Sequence, residues 1–84
     1  MGGSASAMAN QIAEGFILLS PATIRSYTPN DLQSLKVELE KLQRDTRAVV
    51  PPQDDAQANQ LKNRKISRLS SAIQIVGGRL SERR

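Results

Sequence analysis

Apolar residues recur along this chain in three stretches, each at helical spacing and each followed by a helix breaker. In the first, Met8, Ile12, Phe16 and Leu19 fall three or four residues apart, with the polar Gln11 and Glu14 between them. This spacing predicts a short amphipathic helix over about residues 5–19. Gly15 weakens such a helix by about 1 kcal/mol relative to Ala, so its apolar stripe needs a surface to lie on. Ser20-Pro21 ends the element, because proline has no N–H with which to continue the ladder.

The second stretch is the most sharply bounded. Thr28 is a favoured N-cap, Pro29 suits the first helical position, and Asp31 stands three residues past the cap. Asp31 is a shorter substitute for the Glu or Gln of a capping box, and its charge complements the positive end of the helix dipole. Tyr27 stands where a hydrophobic staple would meet Leu32. Leu32, Leu35, Leu39 and Leu42 follow, then Thr46 and Val49, until Pro51-Pro52 closes a helix predicted over about 29–49. In the third stretch, predicted as a helix over about 54–76, Ile66, Leu69, Ile73 and Val76 repeat the same rhythm, with Leu80 beyond. Asp54 and Asp55 open it, and Gly77-Gly78 offers it a stop.

The last two rhythms fit each other in reverse. Pairing Leu32 with Val76, Leu35 with Ile73, Leu39 with Leu69 and Leu42 with Ile66 gives four consecutive layers. Each step forward on one helix meets an equal step back on the other, as knobs-into-holes packing requires. The same register sets Asp31 opposite Arg79 and Asp45 opposite Lys65. Exposed pairs of this kind add only about 0.2–1 kcal/mol, but they fix orientation. The first helix then needs cover, and Leu61, Ala72 and Ile75 supply a second stripe. The expected fold is all-α: an antiparallel coiled-coil-like helical hairpin with a short N-terminal helix packed on it, a three-helix bundle on an up-down-up path. Phe16, the largest apolar side chain of the first helix, is expected to be buried against that second stripe.

Composition narrows the function classes. The chain has 84 residues, room for one domain. Residues 1–7 read as a flexible leader or cloning scar, 8–80 as the helical domain and 81–84 as a basic tail. The leader also fits M-G-x-x-x-[ST], which permits myristoylation at Gly2, but the scar is the preferred reading. Phe16 and Tyr27 are the only aromatic rings. Scaffolds this small usually lean on a disulfide, a metal or a partner. The chain has neither Cys nor His, so it lacks disulfides, the commonest zinc ligand and the usual general base near neutral pH. No catalytic constellation can be assembled, and neither enzyme activity nor a cofactor is expected. The remaining support is a partner, either another protein or further copies in a homo-oligomer. No apolar run approaches the roughly 20 residues of a transmembrane span. The missing Cys fits a reducing compartment, so an intracellular, cytoplasmic setting is expected.

Charge raises one rival. Residues 1–59 carry five basic and seven acidic groups, whereas residues 60–84 carry seven basic groups and one acidic. Arg64 and Arg68 share an outer face of the third helix, and with Arg79, Arg83 and Arg84 they form a candidate basic contact face. Ser67 and Ser70 follow Arg64 and Arg68 at spacings that basic-directed kinases read. Against nucleic acid stands the apolar side of this helix, already committed to the hairpin. The expectation is therefore a non-enzymatic helical protein–protein interaction module, an adaptor or assembly subunit. It would bind through an amphipathic helix face formed by Met8, Ile12, Phe16, Leu19, Leu61 and Ile75, where these are not taken up by the bundle. A nucleic-acid-binding helical domain is the alternative.

Overall fold

The computed structural model describes residues 5–82, which form three helices packed together: α1 (Ala5–Ala13), α2 (Pro29–Ala48) and α3 (Ala56–Glu82). Gly2, Arg83 and Arg84 lie outside the described residues. The assigned leader and tail both give residues to helices, since Ala5 to Ala7 open α1 and Ser81 and Glu82 close α3.

Local chemistry fixes the helix starts. Thr28 is extended, with φ −73° and ψ 161°, and its hydroxyl accepts the Asp31 N–H at 3.1 Å. The Asp31 carboxylate accepts the Thr28 N–H in return at 3.2 Å, so the shorter acid still completes the capping box. Asp55 caps α3, accepting the Ala58 N–H at 3.0 Å. That role moves the start of α3 from about 54 to Ala56, because an N-cap residue is not itself helical.

The helix ends differ most from expectation. α1 stops at Ala13, well short of residue 19. Gly15 takes a φ of +85°; its N–H donates to the Ile12 carbonyl at 3.1 Å, and the Phe16 N–H donates to the Gln11 carbonyl at 2.9 Å. These two bonds make a Schellman ending, which satisfies carbonyls the helix leaves open. Gly15 is thus the terminator of α1 and not a weak point inside it. Having turned at Gly15, the chain leaves Phe16 80% exposed instead of buried. At the other extreme, α3 passes through Gly77-Gly78 and ends at Glu82. Val76 is fully buried just before the glycines and Leu80 packs on the core just after them, so a continuous helix keeps both anchored.

Residues 14–28 form a strap between α1 and α2. Within it, the Ser20 N–H donates to Thr23 Oγ1 at 2.9 Å, and the Thr23 hydroxyl donates to the Ser20 carbonyl at 2.9 Å. This closed turn presents Ile24, which is fully buried. The strap also sets direction. Ala13 and Glu14 share a hollow with Thr46 and Val49, so α1 and α2 end close together. Near their starts, the Tyr27 hydroxyl donates weakly to the Met8 sulfur at 3.5 Å. The two helices therefore run in the same sense, and the up-down-up path is not followed. Short loops force antiparallel neighbours; a strap long enough to run back along the bundle does not.

The core gathers Ala9, Ile12 and Ala13 of α1, Leu19 and Ile24 of the strap, Leu32, Leu35 and Leu39 of α2, and Leu69, Ala72 and Val76 of α3. Tyr27, Leu42 and Ile73 are half-buried and pack against it, and Ile66 is half-buried. Each fully buried Leu contributes about 1.5–3 kcal/mol relative to an exposed one. Thr46, the one polar residue buried in this seam among the described residues, donates its hydroxyl to the Leu42 carbonyl at 2.7 Å. Its burial therefore leaves no donor unsatisfied.

Candidate interaction surface

The basic run of α3 turns inward more than its charge alone suggests. Lys62 Nζ donates to the Arg47 carbonyl at 3.3 Å, in the last turn of α2. Arg68 Nη1 donates to the carbonyl of Ala13, the last residue of α1, at 3.1 Å. Helix C-termini carry unpaired carbonyls and partial negative charge. Lys62 and Arg68 thus serve the C-terminal ends of the other two helices. Lys65 Nζ lies 3.2 Å from Glu14 Oε1, where the sequence register had set Asp45. The end of α1 brings Glu14 over the first half of α3, and Glu14 takes the ammonium.

The other members of the expected basic face lie apart in character. Arg64 is exposed and four residues from Arg68. Arg79 is half-buried and lines a hollow with Pro21, Ala22 and Arg25. Of the two candidate phosphorylation sites, Ser67 is exposed on the rim of a second hollow. Ser70 is half-buried and receives a hydrogen bond from Gln43 Nε2 at 2.6 Å.

Between the strap and α3 lie two adjacent open hollows that meet at Ile75, taken together as a channel. Its first part, about 340 Å³, is lined by Ile12, Ile17, Leu18, Leu19, Ala72 and Ile75, with Ser67, Arg68 and Ser71 on the rim. Its second part, about 430 Å³, continues past Ile75 between Pro21, Ala22 and Gln74. Ile75 borders both. The arrangement can seat apolar side chains, with a guanidinium and two hydroxyls at one end.

The residues expected to form one helix-one or partner face are divided. Ile12 and Leu19 belong to the core, Met8 and Ile75 are half-buried, and Phe16 and Leu61 are exposed. Sequence reasoning missed the strap as the second wall of this channel, with Ile17 and Leu18, and as the source of the buried Ile24. A signal was present: Ser20-Pro21-Ala22-Thr23 is an N-cap phrase with proline at the first helical position. Among the described residues, no helix is long and apolar enough to cross a membrane. Nor does any group of three or more His, Cys, Asp or Glu residues there have the arrangement to hold a metal ion. The chain matches no protein-family profile, and neither the curated proteins nor the solved structures include a significant match to it.

Proposed function

We propose that this chain is a non-enzymatic helical interaction module, an adaptor or assembly subunit of an intracellular complex. In this reading α2 and α3 form an antiparallel hairpin in which Leu39 faces Leu69 and Leu35 faces Ile73. Two side-chain bonds support the register: Lys62 reaches the Arg47 carbonyl, and Gln43 Nε2 reaches the Ile66 carbonyl at 3.5 Å. Moving back along α2 from 47 to 43 moves the partner forward along α3 from 62 to 66. The partner is an amphipathic helix whose apolar side chains enter the channel between the strap and α3.

The observation that carries the proposal is Ile75, half-buried and bordering both parts of that channel. The absence of His and Cys from the sequence supports the non-enzymatic part. The nucleic-acid reading is the weaker one, because Lys62, Lys65 and Arg68 already hold protein oxygen atoms. A salt series on captured partners tests the choice. With the purified chain as bait, a partner docked in the channel stays bound at about 0.5 M salt and is lost with Ile75→Gln. Loss at that salt and with Arg64→Gln, but not with Ile75→Gln, contradicts the proposal and favours phosphate contacts, whose affinity falls steeply as counterions return.

A further inference from the structure

The net charge of the chain and most of its exposed apolar side chains lie at one end of the molecule. Between residues 41 and 68 there are seven Lys and Arg against three Asp. The rest of the chain carries five basic groups against five acidic ones, so the whole formal charge of +4 arises in that interval. In space this is the end where α1 and α2 finish against the first half of α3. Glu14 also lies there, paired with Lys65, so that seven basic groups against three Asp and one Glu leave this end at +3.

Six large hydrophobic residues stand exposed among the described residues, and five of them belong to this end: Phe16, Leu18, Val49, Val50 and Leu61. Phe16 and Val50 border none of the hollows described above. They stand in the connections that follow α1 and α2, at 80% and 85% exposure. Gly15 explains the projection of Phe16, since the chain reverses there with a φ of +85°. Arg68 lies directly beneath, its guanidinium carbon 3.1 Å from the place of a Cβ on Gly15.

We propose that this end is a peripheral docking surface for an anionic lipid bilayer, with Phe16 and Val50 entering the headgroup and acyl boundary and the exposed Lys41, Arg44, Arg47 and Arg64 facing lipid phosphates and carboxylates. Three observations favour this occupant over others. Nucleic acid offers phosphates but nothing for Leu18, Val49, Val50 and Leu61, which carry no rings for stacking. A second copy would bring one basic end against another. The molecule is narrow across this end, 23 × 19 Å in its backbone extents, a small face on which to build the ~800 Å² per partner of a standard protein interface. A bilayer accepts projecting apolar side chains and surrounding cations together, and requires no matching shape. The surface and the channel meet at Leu18 and Arg68, but Ile75 is not part of the surface, so Ile75→Gln separates the two proposals.

The test uses the unmodified chain and vesicles of phosphatidylcholine, alone or with about 30% phosphatidylserine. The chain should sediment with the anionic vesicles at least about tenfold more strongly than with the neutral ones. Phe16→Ser with Val50→Ser should weaken that binding by at least about tenfold, with an unchanged melting curve because both positions are exposed. Arg64→Gln should weaken it by about fivefold, and Ile75→Gln should not weaken it. The chain has no Trp, so Phe16→Trp provides a single reporter whose emission should shift to the blue on anionic vesicles. The proposal is overturned if anionic vesicles are not bound, or if Phe16→Ser with Val50→Ser binds as the parent does. A Trp at position 16 that stays in water, or preference for a DNA duplex over the vesicles, overturns it equally.

Discussion

Gly15 and the pair Gly77-Gly78 follow similar amphipathic helices and do opposite things. Gly15 takes a left-handed φ of +85° and closes α1 with a Schellman ending. Gly77 and Gly78 keep helical backbone, and α3 runs through them to Glu82. Glycine permits both outcomes, so the neighbours decide. After Gly15 the Arg68 guanidinium is already hydrogen-bonded to the end of α1, and Leu19 reaches the core from the strap. Across Gly77-Gly78, Val76 and Leu80 hold α3 to the same core from both sides. A helix continues over glycine where packing lies ahead of it, and stops where a cap is available and the packing can be met another way.

The core that carries α3 over its glycines should show the largest mutational effect. Leu39→Ala or Leu69→Ala, both fully buried, should each cost about 2–5 kcal/mol in a denaturant titration. For a domain of this size that is a large share of total stability. Melting like the parent would mean that the α2–α3 packing does not decide the course of α3.

At Gly15 the comparison predicts strain. Gly15→Ala puts a Cβ on a left-handed backbone at a cost of about 1–2 kcal/mol. It also crowds Arg68, whose nearest atom would lie at 3.1 Å, though a flexible side-chain end can give way. At the opposite site the sign reverses. Beyond the adjacent residues and the helix's own backbone, no atom lies within 4 Å of a Cβ built on Gly77 or Gly78, so Gly77→Ala and Gly78→Ala should each stabilise the fold by about 0.5–1 kcal/mol. Destabilisation at both positions would show that α3 ends at Val76 after all. Smallest of all, Phe16→Ala should change stability by less than about 0.5 kcal/mol, as exposed substitutions usually do. A loss of several kcal/mol would place Phe16 back in the core.

This contrast also marks what could be read from the sequence. The cap at Thr28 and the leucine repeat that follows are local signals, and α2 begins where they say. The three-helix composition was legible for the same reason. The end of α1 was not, because Met8, Ile12, Phe16 and Leu19 keep helical spacing whether or not the chain turns at Gly15. What selects the turn includes the Arg68 bond to the Ala13 carbonyl, a contact between distant parts of the chain. The bonds made by the basic run of α3 were not legible either: nothing local shows that Lys62 holds the Arg47 carbonyl or Arg68 the Ala13 carbonyl. For the surface, Leu61 and Ile75 were singled out by periodicity. Ile17 and Leu18 were not, since a strap has no period to reveal which side faces inward.

The most direct test is a set of backbone chemical shifts and amide exchange rates for the isolated chain, read across both glycine regions. The structure predicts helical shifts that end at Ala13, a slowly exchanging Phe16 amide bonded to Gln11, and coil shifts from Ile17 to Ser20. It predicts unbroken helical shifts from Val76 through Gly77 and Gly78 to Ser81. Helical shifts continuing from Ala13 to Leu19, with coil shifts beginning at Gly77, would contradict the account at both ends.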